Sequence, residues 1–127
     1  MTKALIIEDS GRVREILTSM TASLGYDVQA VADAQAGVEA TEPFEPDVIL
    51  LDWDLPSSGA LDYLTGLAEC SLQPKPMVIL MATENEPRVF ALARAAGASH
   101  YILKPFERGD LASVLKKAGL PVETRAA

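Results

Sequence analysis

The stretch VILLDWDLP, residues 48–56, runs four apolar side chains straight into Asp52, Trp53, Asp54 and Pro56. An aspartate at a strand end can merely cap a loop, or it can be held at the rim of a sheet because its carboxylate has chemistry to do. The run itself lacks the alternation of a half-exposed strand and reads as one covered on both faces. Working outward, comparable short runs recur at Ala4–Ile7, Val28–Val31, Met77–Met81 and Tyr101–Leu103.

Helical spacing fills the intervals. Val13, Ile16, Leu17, Met20 and Leu24 form one apolar stripe, Val89, Leu92, Ala93 and Ala96 a second, and Leu111, Val114, Leu115 and Ala118 a third. Gln35–Thr41 and Leu61–Ala68 read as helices with weaker patterns. Gly25, Gly97 and Gly119 fall just past three helices, where a left-handed cap residue belongs. Pro43, Pro46, Pro74 and Pro76 punctuate loops. Five strands alternating with five helices predict an α/β fold with a doubly wound, five-stranded parallel sheet, a flavodoxin-like (βα)5 arrangement in strand order 2-1-3-4-5. Residues 1–118 make one domain. Residues 119–127 read as a short C-terminal tail, patternless and loose from Pro121 onward.

Composition narrows the function classes. At 127 residues and 49% hydrophobic, the chain suits a globular domain with a real core. Its net charge of −7 argues against gripping nucleic acid, which rests on Lys and Arg. No apolar run approaches a membrane span, and the start lacks a signal-peptide layout. A single cysteine, Cys70, excludes an internal disulfide framework and suits a cytoplasmic location.

Ligands of such folds bind outside the carboxyl ends of the strands. Glu8 and Asp9 follow the first strand, Asp52 and Asp54 the third, Ala82, Thr83 and Glu84 the fourth, and Lys104 the fifth. In the order 2-1-3-4-5, Glu8, Asp9 and Asp52 crowd together and repel one another unless a cation shares the site. Mg²⁺, which takes oxygen ligands and keeps several waters, is the natural candidate. A carboxylate beside a divalent ion and the Lys104 ammonium is a plausible phosphoryl acceptor. The chain has neither a G-x-S-x-G elbow nor a P-loop, so hydrolase and P-loop chemistry lack support. An FMN carrier would share the topology, but Glu8 and Asp9 would repel its phosphate.

The set Glu8-Asp9, Asp52 and Lys104-Pro105-Phe106, with LLDWDLP, ATENEP and AAGASHYILKPF, strongly resembles the receiver domain of two-component response regulators. The wording is closest to the chemotaxis-type, single-domain members. The resemblance covers about residues 3–118. It implies Asp52 as the acceptor of phosphate from a sensor histidine kinase or a phosphotransfer protein. It implies Mg²⁺ held by Asp9, by Glu8 usually through water, by Asp52, and by the backbone carbonyl of Asp54. It implies phosphoryl contact by Lys104, a cis Lys104–Pro105 peptide, and an aromatic switch at Tyr101. Such a protein is a signalling switch rather than an enzyme, its own chemistry limited to self-phosphorylation and self-dephosphorylation. With no output domain in these residues, it should signal to a downstream target through protein contacts.

Two departures stand out. The family places Ser or Thr at the end of the fourth strand, and gap-free counting from Lys104 and Gly97 puts Ala82 there. Thr83 could supply a substitute hydroxyl only if the strand end shifts by one residue. Ala82 therefore sustains an alternative reading, a pseudo-receiver that binds partners without a full phosphorylation switch. The family also commonly has Asp-Gly where this chain has Gly59-Ala60, so the loop after Asp52 should turn differently. Asp9 and Ser10 are both N-cap candidates for the following helix. His100 and Cys70 read as surface and packing residues, and Trp53 as a half-exposed reporter beside the site.

Overall fold

In the computed structural model, which describes residues 2–123, strands and helices alternate along the chain. They are β1 (Lys3–Ile7), α1 (Gly11–Ser23), β2 (Asp27–Val31), α2 (Ala34–Phe44), β3 (Val48–Asp52), α3 (Gly59–Glu69), β4 (Met77–Ala82), α4 (Pro87–Ala95), β5 (His100–Leu103) and α5 (Arg108–Lys117). All pairings are parallel, and the sheet order is β2-β1-β3-β4-β5, as the sequence predicts.

Strand alternation sorts the core into two layers. Leu5, Ile7, Ile49 and Leu51 face Tyr63 and Leu64 of α3 and Ala93 of α4, while Ala4, Ile6, Val48 and Leu50 face Leu17 of α1 and Leu111 and Leu115 of α5. The unalternating pattern holds for the central strands β1, β3 and β4. It fails at the two edges, where Asp27 and Gln29 on β2, and Tyr101 and Leu103 on β5, meet solvent on one side.

The α1 stripe needs correction at Ile16, which is 55% exposed, and the α4 stripe at Leu92, which is also exposed. Thr21 joins Leu17 on the buried side of α1 instead. Pro43 lies inside the last turn of α2 rather than in a loop. Gly25, Gly97 and Gly119 all adopt the positive φ expected of them. The tail is not loose as far as Glu123. Tyr26 donates its hydroxyl to the Pro121 carbonyl at 2.8 Å, the Glu123 N–H bonds Leu24 at 2.8 Å, and Leu120 and Val122 pack on the α1–α5 layer. Residues 124–127 of the predicted tail lie outside the described residues.

Candidate functional site: an acidic cleft at the sheet edge

Parallel pairing of Ile7 with Leu51 brings the residues that follow β1 beside the end of β3. Glu8 is 2% exposed and Asp52 1%, whereas Asp9 reaches solvent. One carboxylate oxygen from each of Glu8, Asp9 and Asp52 lies within 4.8 Å of the others. Ser10, not Asp9, caps α1, accepting from the Val13 N–H at 3.3 Å, which leaves the Asp9 carboxylate to the cleft.

Lys104 reaches in from the end of β5. Its Nζ donates to Glu8 Oε1 at 2.9 Å and to Asp52 Oδ1 at 3.2 Å. The Asp54 N–H also donates to Asp52 Oδ1, at 3.0 Å, and the Ser10 N–H donates to Glu8 Oε2 at 3.1 Å. Burial dominates the Asp52 carboxyl and pushes its pKa up to about 6, with Glu8 adding to the rise and the Asp54 N–H and Lys104 opposing it. Burial works against the Lys104 ammonium, but bonds and charge from Glu8 and Asp52 outweigh it and hold its pKa above the ordinary lysine value. Three ionised carboxylates against one ammonium leave two negative charges. An all-oxygen donor set with that surplus fits a hard divalent cation.

The other predicted residues fall around this centre. β4 ends on Ala82, paired with Leu103, so the one-residue shift that Thr83 needed does not occur. Thr83 instead turns its hydroxyl to Asp54 Oδ2 at 3.2 Å, and the Asp54 side chain is exposed. Tyr101 is 43% exposed and stacks on Phe90 of α4, ring centroids 3.7 Å apart. Lys104–Pro105 is cis, as the resemblance implied. Trp53 has a half-buried side chain beside the cleft, and its backbone N–H donates to the Met81 carbonyl. In the loop after Asp52, Ser57 and Ser58 take left-handed backbone at φ 56° and 59° before α3 begins at Gly59. A Cβ at Gly59 would stand 3.0 Å from Leu55 Cβ, so close approach rather than φ asks for glycine there. His100 and Cys70 lie outside the cleft, both half-buried.

Sequence reasoning missed three features. Phe90 covers Tyr101, and Arg14 donates to the carbonyls of Glu8 and Asp9. The exposed Ile16 lines an apolar groove of about 340 Å³ between α1 and the β5–α5 loop, with Val13, Met20, Pro105 and Phe106, and with Lys104 at one end. The second feature leaves no sign in the sequence, because its acceptors are backbone carbonyls that every residue carries.

Comparison with known proteins agrees with this geometry. Residues 4–116 match the response regulator receiver domain family. The chain is 32% identical over 108 residues to the chemotaxis protein CheY1 of Helicobacter pylori, covering 82% of this chain and 86% of that one. It is 33% identical over 117 residues to the transcriptional regulatory protein PdtaR of Mycobacterium tuberculosis, covering 91% of this chain and 56% of the longer regulator. Among solved structures, chemotaxis protein CheY4 of Vibrio cholerae shares the fold at a TM-score of 0.84 and 23% identity, over 92% of this chain and 98% of that one. The receiver domain of the sensor histidine kinase PA1611 from Pseudomonas aeruginosa superposes at 0.81 with 26% identity, over 91% and 95% of the two chains. That structure holds a magnesium ion in its active-site cleft. With the predicted strand order in place and the family's match running from β1 into α5, the chain belongs to the receiver domains of two-component response regulators.

Proposed function

We propose that the chain is a phosphorylatable switch that accepts a phosphoryl group on Asp52, with Mg²⁺ in the cleft, and signals through protein contacts. The observation that carries this reading is the convergence of Glu8, Asp9 and Asp52 within 4.8 Å beside the Lys104 ammonium. Both bonds to the Asp52 carboxylate fall on Oδ1, so Oδ2 is the oxygen assigned to attack. It forms a bond to phosphorus as the bond to the donor's leaving group breaks, giving an acyl phosphate. A pKa near 6 leaves Asp52 mostly ionised at neutral pH, as a nucleophile must be. Lys104 already bridges two cleft carboxylates and is placed to follow the phosphoryl oxygens. Mg²⁺, held by Glu8, Asp9, Asp52 and the Asp54 carbonyl, would supply charge neutralisation for the transferring group.

The donor is a sensor histidine kinase or a phosphotransfer protein. The apolar groove beside Lys104 suits an amphipathic helix of such a partner, laid against Ile16 and Phe106. A downstream target reads the face of α4, β5 and α5, where Tyr101 and Leu92 are exposed. Residues 1–118 form the working domain, residues 119–127 its appended tail, and the setting is cytoplasmic, with phosphoryl transfer to itself and hydrolysis as its only chemistry. No described helix is long and apolar enough to cross a membrane. The pseudo-receiver alternative rests on Ala82 alone and leaves the acid cluster unexplained.

Intact-mass measurement after incubation with acetyl phosphate and Mg²⁺ tests the reading. One base-labile phosphoryl group should be added to the parent and to Asp54→Asn, and none to Asp52→Asn. Full modification of the Asp52 variant would move the acceptor elsewhere.

A further inference from the structure

Arg14 lies in the first turn of α1, where free backbone N–H groups favour anions and a guanidinium is electrostatically misplaced. Its side chain nevertheless folds back over the helix start, with its second terminal nitrogen 3.6 Å from where a Cβ on Gly11 would stand. From there Nη1 donates to the Glu8 carbonyl at 2.8 Å and to the Asp9 carbonyl at 3.4 Å. Two carbonyl partners offset the unfavourable end of the helix, and both belong to residues of the acidic cleft.

The Asp9 carbonyl shares a peptide plane with the Ser10 N–H. That peptide is trans, so the two groups point in opposite directions from one rigid unit. On the far side, the Ser10 N–H donates to Glu8 Oε2 at 3.1 Å. One plane is thus held at both ends, by the guanidinium on its oxygen and by the Glu8 carboxylate on its N–H. The other oxygen of Glu8 takes Lys104, which also bonds Asp52.

We infer that Arg14 is a positioning residue. It fixes the Asp9–Ser10 peptide and, through it, holds the Glu8 and Asp9 carboxylates in the arrangement that takes a divalent cation. The inference rests on the reading of the cleft as a magnesium site. Groups that orient metal ligands without touching the metal commonly change its affinity by about 10- to 100-fold when removed. A guanidinium acting only as a nearby positive charge would do the reverse, since deleting it would remove repulsion and tighten Mg²⁺ binding. The two roles therefore differ in sign.

Mg²⁺ titration followed by Trp53 emission, with Arg14→Met, Arg14→Lys and Asp9→Asn beside the parent, separates them. Arg14→Met, which keeps apolar bulk but no donor, should weaken Mg²⁺ binding about tenfold. Arg14→Lys should fall between it and the parent, because a flexible ammonium reaches the carbonyls without the fixed guanidinium geometry. In EDTA, the ¹⁵N–¹H signal of Ser10 should shift and lose exchange protection in Arg14→Met. Unchanged or tighter Mg²⁺ binding by Arg14→Met overturns the inference, as does an unmoved Ser10 amide. If urea melts show that Arg14→Met does not fold, parent-like affinity in Arg14→Lys overturns it instead. A parent that ignores Mg²⁺, or responds equally in Asp9→Asn, sinks the magnesium reading, and the Ser10 amide still decides whether Arg14 holds the peptide.

Discussion

Asp52→Asn should make the metal-free protein more stable. Burial of the carboxyl raises its pKa from 3.8 to about 6, so the folded state disfavours the charged form relative to the unfolded chain. Below pH 3.8 the group is protonated in both states and no penalty exists. The penalty grows as pH rises through the window from 3.8 to about 6, where the unfolded state has given up its proton first, and is complete above it. The rise from 3.8 to about 6 corresponds to about 3 kcal/mol at pH 7. Asparagine has nearly the shape of the protonated acid and keeps an oxygen for the Asp54 N–H and Lys104. With urea slopes of roughly 1–3 kcal/mol/M, the midpoint in EDTA at pH 7 should rise by about 1–3 M. At pH 4.5 the gain should shrink to about 1 kcal/mol. An Asn variant no more stable than the parent at pH 7 would refute the dominance of burial. A gain of equal size at both pH values would place its origin in packing rather than in ionisation.

Ala82→Thr should enlarge the phosphorylation-induced change at Tyr101, seen by NMR, while Asp52 remains the acceptor. A hydrogen bond to a charged group contributes roughly 1.5–3 kcal/mol of bias, and an unaltered response would show that this surface is driven without it. Tyr63 and Tyr26 are buried with pKa values pushed up to about 12, so each contributes stability that is complete below pH 10 and lost as pH climbs toward 12. Tyr63→Phe, which loses the bond to Thr41, should be about 1 kcal/mol less stable than the parent at pH 8, and that gap should close near pH 11 in urea melts. Gly37→Ala would put a Cβ 2.6 Å from Ile7 Cδ1 and 3.1 Å from the Tyr63 ring, and should cost about 1–3 kcal/mol by the same assay; a neutral result would mean that the Ile7 side chain yields freely.

The central strands were legible because burial on both faces removes polar residues from the sequence itself. β1, β3 and β4 were bounded to within a residue or so, each gaining one position at an end. The edge strands were bounded as closely, β2 gaining Asp27 and β5 His100, but what the sequence did not show is that each is covered on one side only. Periodicity also placed Ile16 on the buried stripe of α1. Spacing reports which side chains share a helix face, not whether a neighbour arrives to cover them, and at Ile16 the neighbouring loop stops short and leaves a groove. The tail failed for a related reason: its anchors, Tyr26 and Leu24, lie about a hundred residues away.

Glu8, Asp9, Asp52 and Lys104 could be found from sequence because each follows or ends a strand, and a parallel sheet gathers such positions at one edge. Side-chain direction carries no comparable signal, which is why only the folded structure shows the bond from Thr83 to Asp54 and the stack of Phe90 on Tyr101. Arg14 shows what that difference means for the chemistry. Judged by charge, a second cation near three acids should pair with one of them and leave a single negative charge. Its donors go to backbone carbonyls instead, and among the described residues only Lys104 pairs with the cleft carboxylates. The cleft therefore keeps a surplus of two negative charges in a fixed geometry, the condition under which a divalent cation gains most by entering.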